Sequence, residues 1–215
     1  MNNGFFKFLL RKEGAFLLAI AMVSLVIYHD FPQPKSYSSL SDYYTQPAQW
    51  DKCYDSFECL VYNVPIDYSD LSVGSFQISA LRYPAQDRKH RIGSLIVNPG
   101  GPGASGVDYA YNAEYIFSPD LLDQYDIVGF DPRGVSRSAP IICYNDAETD
   151  ANYASDSKPD NAAEFNQAVK DSKVFINKCF EKNKHLTAFS TANAARDMDI
   201  SVSYTHLTLP TICSV

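Results

Sequence analysis

Residues Gly93 to Gly106 read GSLIVNPGGPGASG, an apolar run that opens into a turn packed with glycine and proline. Leu95, Ile96 and Val97 show no polar alternation, the pattern of a parallel strand covered by helices on both faces. In Asn98, Pro99, Gly100, Gly101, Pro102 and Gly103 the side chains are small, absent or rigid, so the backbone can lie against a ligand. Such a loop offers bare N–H groups to a negatively charged oxygen. An ordinary glycine turn reads the same way from this run alone.

The next apolar run narrows the choice. Tyr125 to Asp131, YDIVGFD, leads directly into Pro132, Arg133, Gly134, Val135, Ser136, Arg137 and Ser138. Two short apolar strands, each ending in a glycine turn and about thirty residues apart with helix-compatible sequence between them, are the repeating unit of a doubly wound α/β sheet. Ligands bind such sheets at the carboxyl ends of the strands.

NPGGPGASG, DPRGVSRS, Trp50 with Cys53, Glu58 with Cys59, the run Val64 to Tyr68 and the run Ala195 to Asp199 together resemble the secreted tripeptidyl aminopeptidase branch of the α/β-hydrolases, relatives of prolyl aminopeptidases. The resemblance covers Trp50 to Asp199. It implies the N-terminal half of a doubly wound, mostly parallel sheet. It also implies a serine exopeptidase that needs no cofactor or metal and releases short peptides or single residues from substrates with a free N-terminus. By analogy with the loop after the third strand of that fold, the Gly101 N–H is the expected oxyanion donor, with Gly100 and Gly103 beside it. Pro99 and Pro102 have no N–H to offer. Asp131, Arg133 and Gly134 become a structural turn in which Arg133 pairs with a nearby carboxylate. The resemblance also suggests disulfides joining Cys53 to Cys59 and Cys143 to Cys179. Zinc is the rival use of these thiols, but no histidine stands at ligand spacing from them.

Serine acyl transfer also requires a nucleophile on a strained elbow, a histidine base and a carboxylate that orients it. The nearest approach to G-x-S-x-G is Gly134-Val135-Ser136-Arg137-Ser138, with Ser138 where the final glycine belongs. Ser136 would then be the nucleophile and His185 its base. The family carries this turn in addition to a later elbow, which favours a structural role. Ser105 fits less well, because Gly106 follows it directly. His29 and His90 read as membrane-proximal and surface residues. After Asp199 the chain continues ISVSYTHLTLPTICSV, without an elbow. Residues 200–215 resemble translated sequencing-adapter read-through, so His206 is not read as a catalytic base. A genuine strand is the alternative, since Thr205, Leu207, Thr208 and Leu209 have fair β-propensity. The expectation is a fragment that stops before its triad and is inactive as given. A non-catalytic hydrolase-like surface binding module, or esterase chemistry on the same scaffold, are the other readings.

With 215 residues, 46% hydrophobic and 20% charged, the composition is that of a globular domain. A net charge of -7 argues against a nucleic-acid partner. Lys7, Arg11 and Lys12 precede the uncharged stretch from Gly14 to His29, which reads as an export signal. No small-x-small cleavage site follows Tyr28, so 1–30 is a signal peptide or an uncleaved anchor through which the chain would meet the membrane. The expected location is periplasmic, secreted or anchored facing outward, where cysteines can oxidise. Cys213 is left over. Pro32, Pro34 and the serines that follow read as a linker over 31–49, ahead of a hydrolase portion over 50–199. Strands are expected near Leu60 to Val64, Ser75 to Tyr83, Leu95 and Tyr125. Helices are expected within Tyr109 to Tyr115, Ala162 to Lys182 and Thr191 to Asp199, and Asp146 to Asn161 is polar and loop-like.

Overall fold

The computed structural model describes residues 33–204. The export segment, His29, His206, Cys213 and the remainder of the suspected tail lie outside the described residues. From Lys35 onward the described residues cluster as one compact unit. Its sheet has five strands: β1 (Asp51–Cys53), β2 (Phe57–Pro65), β3 (Ser75–Tyr83), β4 (Gly93–Val97) and β5 (Tyr125–Phe130), in the spatial order β1-β2-β3-β5-β4.

The expectation of a mostly parallel sheet is corrected here. β1 with β2, β2 with β3, and β3 with β5 pair antiparallel; β4 with β5 is the parallel pair. The connections explain this. Between β2 and β3 the chain turns back through a short link closed by the Ile66 N–H donating to Gly74 O (2.9 Å), which returns it antiparallel. From β4 to β5 it passes through three short helices, α1 (Gly106–Tyr111), α2 (Ala113–Ile116) and α3 (Pro119–Gln124), and such a crossover permits parallel pairing. The result is a mixed α/β sheet.

Each face of the sheet has its own core. On one, Leu81, Tyr83, Val97 and Ile127 pack against Val107, Ala110 and Ala113 of the crossover helices. On the other, Leu60, Tyr62, Val64, Ile78, Ala80 and Phe130 meet Tyr43 and Ile200. Alternation along β2 and β3 divides these residues between the faces. β4 departs from its reading: Leu95 and Ile96 are only half-buried, because β4 ends the sheet among the described residues.

Tyr43 lies on a helix, Leu40–Tyr44, within the stretch expected to be a linker. The Ser39 side chain caps it by accepting from the Asp42 N–H, and the buried Tyr43 hydroxyl bonds Ser75 Oγ (2.7 Å). Gln46 then pairs with the Asn63 backbone, accepting from its N–H (2.7 Å) and donating to its carbonyl (2.8 Å). Of the serines read as linker, Ser39 thus serves as a helix cap, and Tyr43 carries the segment into the core. The helix begun at Thr191 runs to Tyr204, five residues past the expected Asp199, with Ile200 and Ser201 buried. Tyr204 donates to Tyr43 O (2.6 Å) and its own carbonyl accepts from Trp50 Nε1 (3.0 Å).

The polar stretch read as a loop also begins with a helix, Asp146–Tyr153. Asn145 accepts from the Glu148 N–H while Glu148 accepts from the Asn145 N–H, a reciprocal cap that offsets the lack of any buried residue in the helix. The long helix Ala162–Lys182 follows and is joined to the turn after β5 by Cys143–Cys179; Cys53–Cys59 closes the β1–β2 hairpin. Protein prepared under oxidising conditions should therefore show Cys53, Cys59, Cys143 and Cys179 unreactive to iodoacetamide until a reductant is added. Mass spectrometry finding those four alkylated without reductant would contradict the pairing. Among the described residues, no helix is long and apolar enough to cross a membrane, and no cluster of His, Cys, Asp and Glu could hold a metal ion.

Candidate active site

Beyond Val97 the chain leaves the carboxyl end of β4 as a loop whose glycines all have positive φ: 79° at Gly100, 123° at Gly101 and 98° at Gly103. Side chains rarely adopt these angles, so glycine is required for the path the loop follows. Asn98 fixes its entry by accepting the Gly100 N–H on Oδ1 (3.0 Å), and the Gly100 carbonyl accepts from the Ala104 N–H (3.3 Å). Gly100 therefore has its N–H engaged, which argues against a share in an oxyanion hole. The N–H groups of Gly101 and Gly103 have no hydrogen-bond partner among the described residues. The loop forms one wall of a cleft of about 520 Å³, opposite Arg133, Val135, Phe189, Thr191 and Ala194.

Asp131, at the end of the neighbouring strand, holds the far end of this loop. Its fully buried carboxylate accepts from Ser105 Oγ (2.5 Å) and the Val107 N–H (3.2 Å) on Oδ1, and from the Arg137 N–H (3.1 Å) on Oδ2. Ser105 Oγ in turn accepts from the Asp108 N–H (3.0 Å), capping α1. One side chain thus joins the glycine loop to the turn after β5. Ser105 is the N-cap of α1. Its Ser-x-x-Asp spacing to Asp108 was a legible capping signature.

Arg133 braces that turn from within. Its guanidinium meets Asp197 through two bonds, Nε to Oδ2 (2.7 Å) and Nη2 to Oδ1 (2.6 Å), with both side chains essentially inaccessible to solvent. The remaining donors reach the carbonyls of Pro65, Ile66 and Ala188 at 2.9 to 3.1 Å. Tyr68 donates to Asp197 Oδ1 (2.7 Å) and lies, with Phe76, beside the guanidinium. Burial pushes the Asp197 carboxyl above its ordinary value, and the Arg133 and Tyr68 bonds pull against that rise. Burial together with the Asp197 charge likewise raises the Tyr68 hydroxyl, which stays protonated and donating. The end of β2, the turn after β5 and the last helix are joined at one fully bonded charge. Gly134 (φ 87°) completes the turn at a point where a Cβ would lie 2.9 Å from the Phe189 ring.

Among the described residues, no hydrogen bond joins Ser136 to His185. Ser136, at φ 43°, is exposed in a two-residue turn between Val135 and Ser138, closed by the Ser138 N–H donating to Val135 O (2.8 Å). A positive φ at the first central residue suits a tight hairpin; a nucleophile elbow joins a strand to a helix. His185 heads the 3₁₀ turn Leu186–Ala188 and lines a separate pocket with Ile66, Asp67 and Asn193. His90, on the surface, pairs with Asp87 (2.6 Å).

No protein-family model matches the chain. It is 32% identical over 166 residues to the serine protease Hip1 of Mycobacterium tuberculosis, covering 72% of this chain and 32% of that protein. It is 39% identical over 147 residues to carboxylesterase B of the same species, covering 66% of this chain and 28% of the relative. To the tripeptidyl aminopeptidase of Streptomyces lividans it is 34% identical over 148 residues, 66% of this chain and 27% of the relative. The chain thus spans about a third or less of the length of these relatives.

Proposed function

Since this chain belongs to the α/β-hydrolase serine peptidase family of these relatives, we propose that it is the N-terminal portion of an exported serine exopeptidase acting on free peptide N-termini. Its triad would be carried by sequence following Asp199. The observation that supports this most is the Gly101 N–H, which lies at the cleft without a partner among the described residues, on a loop whose two ends are held by Asn98 and Asp131. A donor fixed before the substrate arrives stabilises a tetrahedral oxyanion without reorganising at the moment of reaction. Asp131 and Arg133 are positioning residues here. They hold the loop and the facing wall of the cleft. The two disulfides suit an oxidising compartment.

The test uses the gene product read through beyond Asp199. Tripeptide p-nitroanilides with a free amine should be cleaved, and their N-acetylated counterparts should not. Gly101→Val should lower kcat by about 10²–10³-fold, the usual cost of losing one oxyanion donor. The reason is geometric: φ is 123° at this position and a Cβ would lie 3.1 Å from the Gly103 and Ala104 nitrogens, so the N–H must turn away. Equal cleavage of blocked and free substrates would refute the exopeptidase assignment. The second reading is an esterase, favoured by the higher identity to carboxylesterase B than to the two peptidases. Turnover of p-nitrophenyl acyl esters without any peptide release would select it.

A further inference from the structure

The buried Asp131 carboxylate holds Ser105 and Val107 through neutral donors, which leaves its charge to be balanced by a cation. Arg133 is not available for this, because all five of its N–H donors are taken by Asp197 and by the carbonyls of Pro65, Ile66 and Ala188. Among the described residues, the cation paired with Asp131 is Arg137. Its Nη1 lies 3.5 Å from Asp131 Oδ2 and 3.4 Å from Ser105 Oγ, and its Nη2 reaches Asp108 Oδ1 (2.9 Å) in the first turn of α1. The Asp131 side chain is inaccessible to solvent, whereas that of Arg137 is 45% exposed.

A half-exposed ion pair ordinarily contributes little. This one differs because losing the guanidinium leaves a buried carboxylate uncompensated. Water drawn in to solvate that carboxylate would compete with Ser105 and Val107 for its oxygens. The glycine loop depends on its two ends, since a Cβ at Gly100 or at Gly103 would meet nothing within 4 Å and no packing holds it there. Asn98 secures one end, and Ser105, through Asp131, secures the other. We propose that Arg137 is a positioning residue of the candidate site: its charge keeps Asp131 on Ser105 and thereby keeps the Gly101 N–H at the cleft. The catalytic consequence rests on the hydrolase reading proposed above; the structural consequence rests on these contacts alone.

The test uses the gene product read through beyond Asp199, as the parent and as Arg137→Met, Arg137→Lys and Asp108→Asn. Hydrogen–deuterium exchange reads the end of the loop without turnover. In Arg137→Met the amides of Val107 and Asp108, which donate to Asp131 and Ser105, should exchange about tenfold faster or more, while those of β2 and β3 keep the parent's rates. Arg137→Gln takes its place if the methionine variant loses protection in β2 and β3. With free-amine tripeptide p-nitroanilides, or with p-nitrophenyl acetate if the enzyme is an esterase, Arg137→Met should lower kcat about tenfold and leave KM within about twofold. That is less than the about 10²–10³-fold cost of losing a donor outright. Guanidinium chloride, below the concentration that unfolds the variant, should restore part of kcat where sodium chloride does not, and Arg137→Lys should retain more activity than Arg137→Met. Asp108→Asn removes only the exposed partner and should lower kcat less. Unchanged exchange at Val107 and Asp108 would overturn the proposal, as would a loss of kcat that guanidinium leaves unrestored or that comes with an equal rise in KM. A parent that turns over neither substrate would refute the hydrolase reading, and the exchange rates would still decide the role of Arg137.

Discussion

Gly129→Ala is expected to leave little or no folded protein. Gly129 lies in β5 beneath the first turn of α1, and a Cβ there would sit 1.9 Å from the Gly106 carbonyl oxygen and 2.7 Å from its carbon. The reciprocal position is equally closed, since a Cβ on Gly106 would lie 2.1 Å from Phe130 O. The obstruction is backbone on both sides, so no rotamer change relieves it. α1 would have to lift away from the sheet. That move would open the core of Leu81, Val107, Ala110 and Ile127 and pull Ser105 from Asp131. The cost should exceed the about 1–3 kcal/mol of ordinary overpacking, a large part of the about 5–15 kcal/mol that holds a domain folded. Far-ultraviolet circular dichroism and urea titration measure it. Gly103→Ala is the contrast: nothing lies within 4 Å of its Cβ and only φ 98° opposes it, so that variant should fold. Equal urea midpoints for Gly129→Ala and the parent would contradict the close contact.

Arg133→Met should have the second largest effect, about 3–5 kcal/mol, because it leaves the Asp197 carboxylate buried without its cation. It also strips donors from the carbonyls of Pro65, Ile66 and Ala188. The pH dependence identifies the cause. Burial already raises the Asp197 carboxyl in the intact protein, and removing the guanidinium raises it further. Between the unfolded value and this raised one, the folded variant binds a proton that the unfolded chain releases. Stability of the variant must then fall as pH rises through that window and recover as pH is lowered. Adding Asp197→Asn should restore much of the loss at neutral pH, with a non-additive cycle. A loss that is independent of pH and additive with Asp197→Asn would place the damage in packing and not in the orphaned charge.

Local signals were legible in the sequence. β3 occupies Ser75 to Tyr83 and the long helix Ala162 to Lys182 where patterning put them, and the glycine loop follows its strand. Pairing direction was not legible, because an apolar run such as Leu95 to Val97 looks alike in either orientation and the connection decides. The Leu40–Tyr44 helix was missed because serine serves equally as linker and as cap, and its anchoring contacts, Tyr43 to Ser75 and Gln46 to Asn63, are long-range. The Asp146–Tyr153 helix announced itself only through Asn145 and Glu148, a cap without an apolar face to support it. At the candidate site, glycine composition pointed to the loop. That Asn98 consumes the Gly100 N–H, and that Asp131 reaches back 26 residues to Ser105, required the fold.

The most direct measurement of the central claim is fluorophosphonate labelling of the gene product extended past Asp199, followed by mapping of the modified peptide. The account predicts one labelled serine, within a G-x-S-x-G sequence following residue 199, and no label on the 215-residue chain alone. Covalent label on Ser136 or Ser105 would contradict both the structural assignment of the turn after β5 and the place given to the nucleophile.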